Sequence, residues 1–265
     1  MGGNTVKVLQ ITDTHLFSGN GGRLLGLDTE QSLAAVLEDV RQNRMPADLV
    51  LATGDLVHDG SEAAYRRFFT HMNSLDLPVY CLPGNHDEAA RLLGMDDTGH
   101  CRYLPTVIQD GWHIVLLDST IPGDEGGHLS AATLTHLDQL LTGRPDHHTL
   151  ICLHHQPVPM GSDWLDTMAI RNPQEFFDIL DQHPQVRGVL WGHVHQEFDG
   201  RHGPIRLMST PSTCIQFKPG SSSFALDHAA PGYRWLELHP DGNIDTGIRR
   251  TDYVADSIDF AANGY

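Results

Sequence analysis

The chain has 265 residues and a formal net charge of −17 at pH 7, from 17 lysines and arginines against 34 aspartates and glutamates. That length can bury the core of one α/β domain, and the negative charge argues against nucleic acid or an anionic membrane as a partner, because both bind basic surfaces. No apolar run approaches the ~20 residues of a bilayer span and the four cysteines lie far apart, so we expect a cytoplasmic protein with free thiols.

The first third of the chain predicts strands that alternate with helices. Short runs rich in valine, isoleucine and leucine predict strands over residues 6–11, 48–52 and 77–82. Between them, residues 29–44 and 61–74 carry apolar side chains at the spacing of one helix face. This order predicts parallel pairing of the strands with right-handed crossovers.

The rest of the chain predicts a second sheet. Its predicted strands cover residues 102–104 together with 106–109, then 112–118, 149–153 and 186–191. Its predicted helices cover 130–141 and 172–182, with Asn172 as N-cap. After residue 197 the helical period is lost, and residues 205–209 and 233–238 indicate an antiparallel run. Two sheets between helices explain this order better than one open sheet. We expect one domain over residues 1–250, followed by a C-terminal tail over residues 251–265.

Histidine is in excess, with 18 residues, and several histidines follow the predicted strands together with aspartate and asparagine. Five strand ends carry such groups: Asp13-Thr14-His15, Gly54-Asp55, Gly84-Asn85-His86-Asp87, His154-His155 and Gly192-His193-Val194-His195. Open α/β sheets build their sites at the carboxyl ends of strands, and residues two apart on an extended segment point the same way. Carboxylate, imidazole and amide donors without cysteine suit Mn, Fe, Co or Zn in a catalytic site. One such residue alone is more often a cap or a turn former, but five strand ends together predict a metal centre.

These five blocks, D-x-H, G-D, G-N-H-D, H-H and G-H-V-H, resemble in order and context the calcineurin-like metallophosphoesterase superfamily. Residues 153–159, 164–166, 171–172 and 209–219 are also similar to the bacterial class III cyclic-AMP phosphodiesterases. The resemblance implies a four-layer α/β/β/α sandwich of two mixed sheets flanked by helices. It also implies two divalent or mixed-valence metal ions, which could be Fe, Mn, Co or Zn.

The resemblance assigns roles to particular residues. It implies that Asp13, His15 and His195 hold one metal, that Asn85, His154 and His193 hold the other, and that Asp55 bridges both. It places His86 against the substrate phosphate as a catalytic residue, with Asp87 orienting it. Its implied substrate-binding residues are His15, Asp55, Asn85, His86, His154 and His195.

Trp164 and Arg171 are further candidates for substrate binding, and each has an ordinary structural alternative. Trp164 either stacks on a purine or anchors a loop on the core. Arg171 either contacts the phosphate or pairs with a surface acid. The sequence leaves both alternatives open.

The resemblance implies hydrolysis of 3′,5′-cyclic AMP to 5′-AMP. Two metals about 3.5–4 Å apart can activate a bridging hydroxide for in-line attack, and an imidazole such as that of His86 can protonate the leaving alkoxide. Two alternatives stay open: a broader phosphodiesterase acting on 2′,3′-cyclic nucleotides or other small diesters, and a catalytically idle, metal-dependent nucleotide-binding module. The expected partner is a small cyclic nucleotide, and a homodimer is expected because similar enzymes include dimers.

Overall fold

The computed structural model describes residues 3–43, 45–95, 99–255 and 257–264, in which twelve strands form two six-stranded sheets and four form two small two-stranded sheets. The strands are β1 (Val6–Ile11), β2 (Arg23–Leu24), β3 (Leu27–Asp28), β4 (Leu49–Thr53), β5 (Val79–Leu82), β6 (Cys101–Arg102), β7 (Thr106–Gln109), β8 (Trp112–Leu116), β9 (His148–Leu153), β10 (Val186–Trp191), β11 (Phe198–His202), β12 (Ile205–Ser209), β13 (Gln216–Phe217), β14 (Leu226–Asp227), β15 (Gly232–Leu238) and β16 (Ile244–Arg250). The helices are α1 (Thr29–Gln42), α2 (Glu62–Asn73), α3 (Ala89–Gly94), α4 (Ala131–Thr142), α5 (Asp163–Asp166) and α6 (Pro173–Leu180).

Both large sheets are mixed, with parallel strands at the centre. The first has the order β16-β15-β1-β4-β5-β6, in which β1, β4, β5 and β6 are parallel and β15 and β16 pair antiparallel. The second has the order β11-β12-β10-β9-β8-β7, in which β8, β9, β10 and β12 are parallel and the two outer strands are antiparallel. The antiparallel run predicted after residue 197 is confirmed, and β12 also pairs parallel with β10.

Alternating side chains on each strand divide the core into three apolar layers. Val8 faces the second sheet, where it joins the layer that contains Ile114 and Leu190. The next residue, Leu9, faces the other way and packs with residues of α1 and α2, such as Leu33. The outer face of the second sheet packs in the same manner against α4 and α6. This alternation confirms the predicted four-layer α/β/β/α sandwich.

Side-chain caps begin three of the longer helices. Asp28 accepts a hydrogen bond from the Gln31 N–H at the start of α1, and Ser61 and Ser130 do the same for α2 and α4. None of the helices in the described part of the chain combines the length and the apolar character needed to cross a membrane.

With Pro173 directly after it, Asn172 stands at the predicted N-cap position of α6. Its side chain makes no capping bond; it accepts from the Leu129 N–H at 3.1 Å and donates to the Leu129 carbonyl at 2.8 Å. These two bonds fasten the start of α6 to the segment that precedes α4, 43 residues away in sequence. The tertiary contact outweighs the local one.

The predicted tail packs back onto the sandwich. Tyr253, Ala255 and Ile258 contact the apolar layer on the outer face of the second sheet. Asp256 and Tyr265 of the tail, and Arg44 at the end of the first predicted helix, lie outside the described residues. The division into a domain over 1–250 and a tail stays a prediction.

Candidate active site

The carboxyl ends of strands from both sheets meet at one rim of the sandwich. In the first sheet Ile11 pairs with Ala52, and in the second Leu153 pairs with Trp191, so the segments that follow begin side by side. The Gln10 side-chain amide donates to the Trp191 carbonyl at 3.0 Å and links the two sheets at this rim. All seven predicted metal ligands follow these strands: Asp13 and His15 after β1, Asp55 after β4, Asn85 after β5, His154 after β9, and His193 and His195 after β10.

One group of donors consists of Asp13, His15 and His195. Their donor atoms lie within 4.8 Å of one another, and all three side chains are buried. His195 Nε2 lies 3.5 Å from Asp13 Oδ1 and 3.3 Å from His15 Nε2. The structure therefore brings together the three residues expected at the first metal position.

A second group lies beside the first and shares Asp55 with it. Asp55 Oδ2 lies 3.7 Å from His15 Nε2 and 3.3 Å from His154 Nε2, so it stands between the two groups. His154 Nε2 lies 3.1 Å from Asn85 Oδ1, and donor atoms of His154 and His193 also lie within 4.8 Å of each other. Asp55 occupies the position that a bridging carboxylate needs.

His155, the neighbour of His154, makes other contacts. Its Nδ1 lies 2.8 Å from Ser119 Oγ and its Nε2 lies 3.2 Å from the Glu125 carbonyl. Burial, followed by the nearby His154, lowers the pKa of His155 to about 3. Its imidazole is neutral, and its ring nitrogens are occupied by protein groups beside the donor cluster.

The protonation of the cluster fits divalent cations. Burial lowers the pKa of His15 and His193 well below the usual histidine range, which keeps both rings neutral. Burial opposes the charge on Asp55, but His154 and His86 outweigh it and hold its pKa well below the usual range. Burial likewise opposes protonation of His154, yet the Asp55 charge raises its pKa to about 9. Since ligands bind metals in the deprotonated form, a cation would displace that proton.

One buried nitrogen atom of the cluster makes no hydrogen bond within the described part of the chain. His193 Nε2 is buried without a hydrogen-bond partner there. Leaving a buried polar atom unpaired is costly, so such atoms in native proteins indicate an ion or a function. Together with the convergent carboxylate and imidazole donors, this atom shows that the residues fit a metal centre.

Backbone strain is concentrated at the same residues. Asp13, His15, Asp55, His193 and His195 all have positive φ, between 45° and 65°. Residues other than glycine rarely adopt this left-handed conformation, which costs about 1–3 kcal/mol each and persists where the surroundings enforce it. The strain is the cost of directing side chains from strand ends into one cluster.

Gly54 and Gly84 were not singled out as functional by the sequence analysis, although each precedes a predicted ligand. Gly54 has a φ of 94°, and a Cβ there would lie 2.3 Å from His154 Nδ1. A Cβ at Gly84 would lie 2.3 Å from both the backbone nitrogen and Oδ1 of Asp55. Only glycine permits this close packing around the ligands.

His86 lies at the edge of the cluster. Its backbone N–H donates to Asp55 Oδ1 at 2.9 Å, and its ring contacts that of His15 edge-on at 4.9 Å between centroids. His58 stacks on His86, with centroids 4.7 Å apart and planes at 23°, and it also contacts Phe17 and His15, whose Nδ1 lies 3.4 Å from its own Nδ1. The position of His58 just after Gly54-Asp55 predicts that it lies near the site, but a lone histidine there gives no sign of this stack.

Asp87 contacts the loops around His86. Its carboxylate accepts hydrogen bonds from the N–H groups of Gly84, Leu56 and Val57 and from the Tyr65 hydroxyl, at 2.9–3.3 Å. Burial, followed by the charge of Asp55, raises the pKa of Asp87 to about 7. These bonds join the loop that carries Asn85 and His86 to the loop that carries Asp55.

A cavity of about 500 Å³ opens beside the cluster. Asn85, His86 and His193 line its inner end, and Trp164 lines its wall. The Trp164 ring meets Phe217 edge-on at 5.0 Å. Phe217 also lines the cavity and lies flat on His195 at 4.1 Å, so the predicted segment 209–219 reaches the site through this residue.

Arg171 does not belong to this group. Its guanidinium pairs with Asp124, it is more than half exposed, and it is not among the described residues that line the cavity. Of the two alternatives for Arg171, the structure shows the surface ion pair and not a position against the phosphate.

Comparisons with known proteins agree with this geometry. Residues 6–197 match the family model of the calcineurin-like phosphoesterases. The 3′,5′-cyclic adenosine monophosphate phosphodiesterase CpdA of Pseudomonas aeruginosa is 46% identical over 262 residues, covering 98% of this chain and 96% of that protein. The protein of the same name from Escherichia coli (strain K12) is 44% identical over 261 residues, covering 98% of this chain and 95% of that protein. A dimetal phosphatase from Danio rerio shares the fold, with a TM-score of 0.61 at 16% identity over 93% of this chain and 99% of that one. The chain belongs to the calcineurin-like phosphoesterase family.

Proposed function

We propose that the chain is a metal-dependent phosphodiesterase that hydrolyses 3′,5′-cyclic AMP to 5′-AMP. The observation that carries this proposal is the position of Asp55 Oδ2, which lies 3.7 Å from His15 Nε2 and 3.3 Å from His154 Nε2 in a donor cluster whose Asn85 and His193 line a cavity of about 500 Å³. Such a volume suits a small ligand such as a nucleotide. The substrate assignment follows the relatives, which bear the name of a cyclic AMP phosphodiesterase.

The proposed metal ligands are the seven residues of the cluster. Asp13, His15 and His195 would hold one ion, Asn85, His154 and His193 would hold the other, and Asp55 would serve both. When bound, two divalent cations neutralise the phosphate charge and make water nucleophilic at neutral pH. The mixed oxygen and nitrogen donor set accepts Fe, Mn, Co or Zn.

His86 supplies the acid in this mechanism. It lines the cavity next to the cluster. The hydrogen bond from its backbone N–H to Asp55 Oδ1 and the stacking of its ring on His58 hold it there. An imidazole N–H of His86 gives its proton to the ribose O3′ as the P–O3′ bond breaks. The product then leaves with a 3′ hydroxyl, and a poor alkoxide leaving group is avoided.

Asp87 positions His86 through the backbone. The carboxylate binds both Gly84, in the loop before His86, and Leu56, in the loop after Asp55. It therefore fixes the distance between the proton donor and the bridging carboxylate. Trp164 stacks on the purine from the cavity wall, since its ring is held edge-on by Phe217 and Phe224.

The two alternatives make different demands on the site. An idle nucleotide-binding module has no use for a proton donor beside the cluster, whereas His86 stands there. A broader phosphodiesterase would use the same cluster and would differ only in its preference among substrates. Turnover of several substrates therefore distinguishes the cyclic AMP phosphodiesterase from both alternatives.

The test is turnover of cyclic AMP, cyclic GMP, 2′,3′-cyclic AMP and bis(p-nitrophenyl) phosphate by the metal-loaded protein. We expect kcat/KM to be highest for cyclic AMP, with 5′-AMP as the product. Equal kcat/KM for all four substrates would contradict the cyclic AMP assignment. No turnover at full metal occupancy would favour the binding module.

A cytoplasmic location belongs to the same proposal. All four cysteines are free and buried, as expected for a protein of a reducing compartment. The expected homodimer stays a prediction, which sedimentation of the purified protein would test.

A further inference from the structure

The outer end of the substrate cavity is built from parts of the chain that hold no predicted metal ligand. Trp164, Thr167 and Met168 line one side of it, and Ser222, Ser223 and Phe224 line another. Asn263 and Gly264 complete the lining, from the C-terminal segment. If the phosphate lies at the inner end against His86, the base of a nucleotide extends toward this outer end.

The C-terminal segment is fixed where it crosses the β2–β3 turn. The Ser257 carbonyl passes so close to Gly26 that a Cβ at Gly26 would lie 2.4 Å from it, and Gly26 has a φ of 88°. Two residues later, the Asp259 N–H donates to the Leu25 carbonyl at 2.9 Å. This contact sets the direction in which the segment continues.

A second contact fixes the segment before it reaches Asn263. The Phe260 ring lies 4.1 Å from the ring of His228, just after β14. A turn follows, in which the Ala262 N–H donates to the Asp259 carbonyl at 3.2 Å and the Ala261 N–H donates to the Asp259 carboxylate at 3.0 Å. The turn delivers Asn263 to the cavity.

The chemistry of the outer end singles out Asn263. Stacking on Trp164 accepts any base, because every base has a π face. Hydroxyl groups such as those of Ser222 and Ser223 pair with donors and acceptors alike, so they discriminate weakly. A carboxamide offers one donor and one acceptor side by side, which match N7 and the N6 amino group of adenine, whereas guanine presents two acceptors at the same edge. The other carboxamide of the cavity, Asn85, already contacts His154 at 3.1 Å.

We propose that residues 257–264 carry Asn263 and Gly264 into the outer wall of the substrate pocket and that Asn263 is a specificity-determining residue that pairs with the adenine base. This inference rests on the proposed function and names the part of the chain that selects the base. In this proposal the C-terminal segment selects the substrate, and the residues at the inner end of the cavity carry out the chemical step.

The test compares Asn263→Ala and Asn263→Gln with the unmodified protein on cyclic AMP, cyclic GMP and bis(p-nitrophenyl) phosphate. We expect Asn263→Ala to lower kcat/KM for cyclic AMP roughly 5- to 100-fold, mainly through KM, because a bidentate base contact is lost. Cyclic GMP and bis(p-nitrophenyl) phosphate should be hydrolysed as before, and Asn263→Gln should recover part of the loss. Val254→Ser is the matched control, since Val254 lies in the same segment, is 84% exposed and is not among the described residues of this cavity.

An unchanged ratio of cyclic AMP to cyclic GMP turnover in Asn263→Ala would overturn the inference and leave the proposed function standing. A metal-loaded, unmodified protein that cleaves bis(p-nitrophenyl) phosphate but not cyclic AMP would overturn both. Phe260→Ala tests whether the contact with His228 anchors the segment that carries Asn263. This variant should raise KM for cyclic AMP with little change in kcat, and Phe260→Tyr should return KM to its original value. The original KM in Phe260→Ala would contradict the proposed anchoring.

Discussion

The inner and outer ends of the substrate cavity are built in different ways. The inner end adjoins the donor cluster, in which six of the seven proposed ligands are buried and five have positive φ. The outer end consists of Trp164 in the four-residue helix α5, the segment around Phe224 and the C-terminal segment, all of which are partly exposed. The comparison teaches that the sheets fix the chemistry, while short and weakly constrained elements select the substrate.

The largest effect on activity is expected from Asp55→Ala, at the centre of the donor cluster beside the inner end. Because Asp55 Oδ2 stands between both donor groups, its loss should impair both metal positions and abolish turnover of every substrate. Metal analysis after gel filtration, together with turnover of cyclic AMP and bis(p-nitrophenyl) phosphate, measures both consequences. Asp59→Asn is the control, since Asp59 is not a proposed ligand and its carboxylate accepts hydrogen bonds from the backbone N–H groups of Ser18 and Ser61. Two tightly bound metals in Asp55→Ala would refute the bridging role.

The next effect is expected from His86→Ala, which removes the proposed proton donor but no metal ligand. Turnover of cyclic AMP should fall by about 10²- to 10⁴-fold while the metal content stays unchanged. The loss should be smaller for bis(p-nitrophenyl) phosphate, since p-nitrophenolate leaves without a proton. Equal losses on both substrates would argue that His86 binds the phosphate and does not act as an acid.

A smaller effect is expected from His58→Ala, which removes the ring stacked on His86. The centroids of the two rings lie 4.7 Å apart, and loss of this contact should let His86 move. We therefore expect kcat to fall about 2- to 10-fold at unchanged KM. His58→Phe keeps an aromatic ring at this place and should recover most of kcat. If His58→Phe is as impaired as His58→Ala, the ring does not act by stacking, and metal analysis would show whether His15 has been disturbed.

The smallest effect is expected from Arg171→Gln. Arg171 pairs with Asp124 at the surface, so kcat and KM for cyclic AMP should not change and thermal stability should change little. A rise in KM specific to phosphate-containing substrates would show instead that Arg171 reaches the substrate.

Much of the inner end could be predicted because it depends on local pattern. Strands β1 and β10 were predicted with the bounds that the structure shows, and the ligand blocks follow such strands directly. A continuous apolar run specifies a buried strand, and a strand directs the residue after it to the rim of the sheet. The positive φ of Asp13 and Asp55 could not be predicted, since it is imposed by the packing of the two sheets.

The outer end could not be predicted in the same way, because it depends on contacts between distant segments. The sequence left Trp164 undecided between a ligand and an anchor, and its neighbours Phe217 and Phe224 lie more than 50 residues further along the chain. The bond between Asp259 and Leu25 joins opposite ends of the chain and leaves no local pattern. The missing side-chain capping bond at Asn172 has the same origin, since its amide group binds the distant backbone of Leu129 instead.

The division of labour between the two ends is tested most directly by Trp164→Ala with its full metal content. Kinetics on cyclic AMP and on bis(p-nitrophenyl) phosphate, which lacks a base, should be measured side by side. We expect kcat/KM for cyclic AMP to fall roughly 5- to 150-fold, because stacking on the base is lost, and kcat/KM for bis(p-nitrophenyl) phosphate to stay unchanged. Equal losses on both substrates, or no loss on either, would contradict the assignment of substrate selection to the outer end.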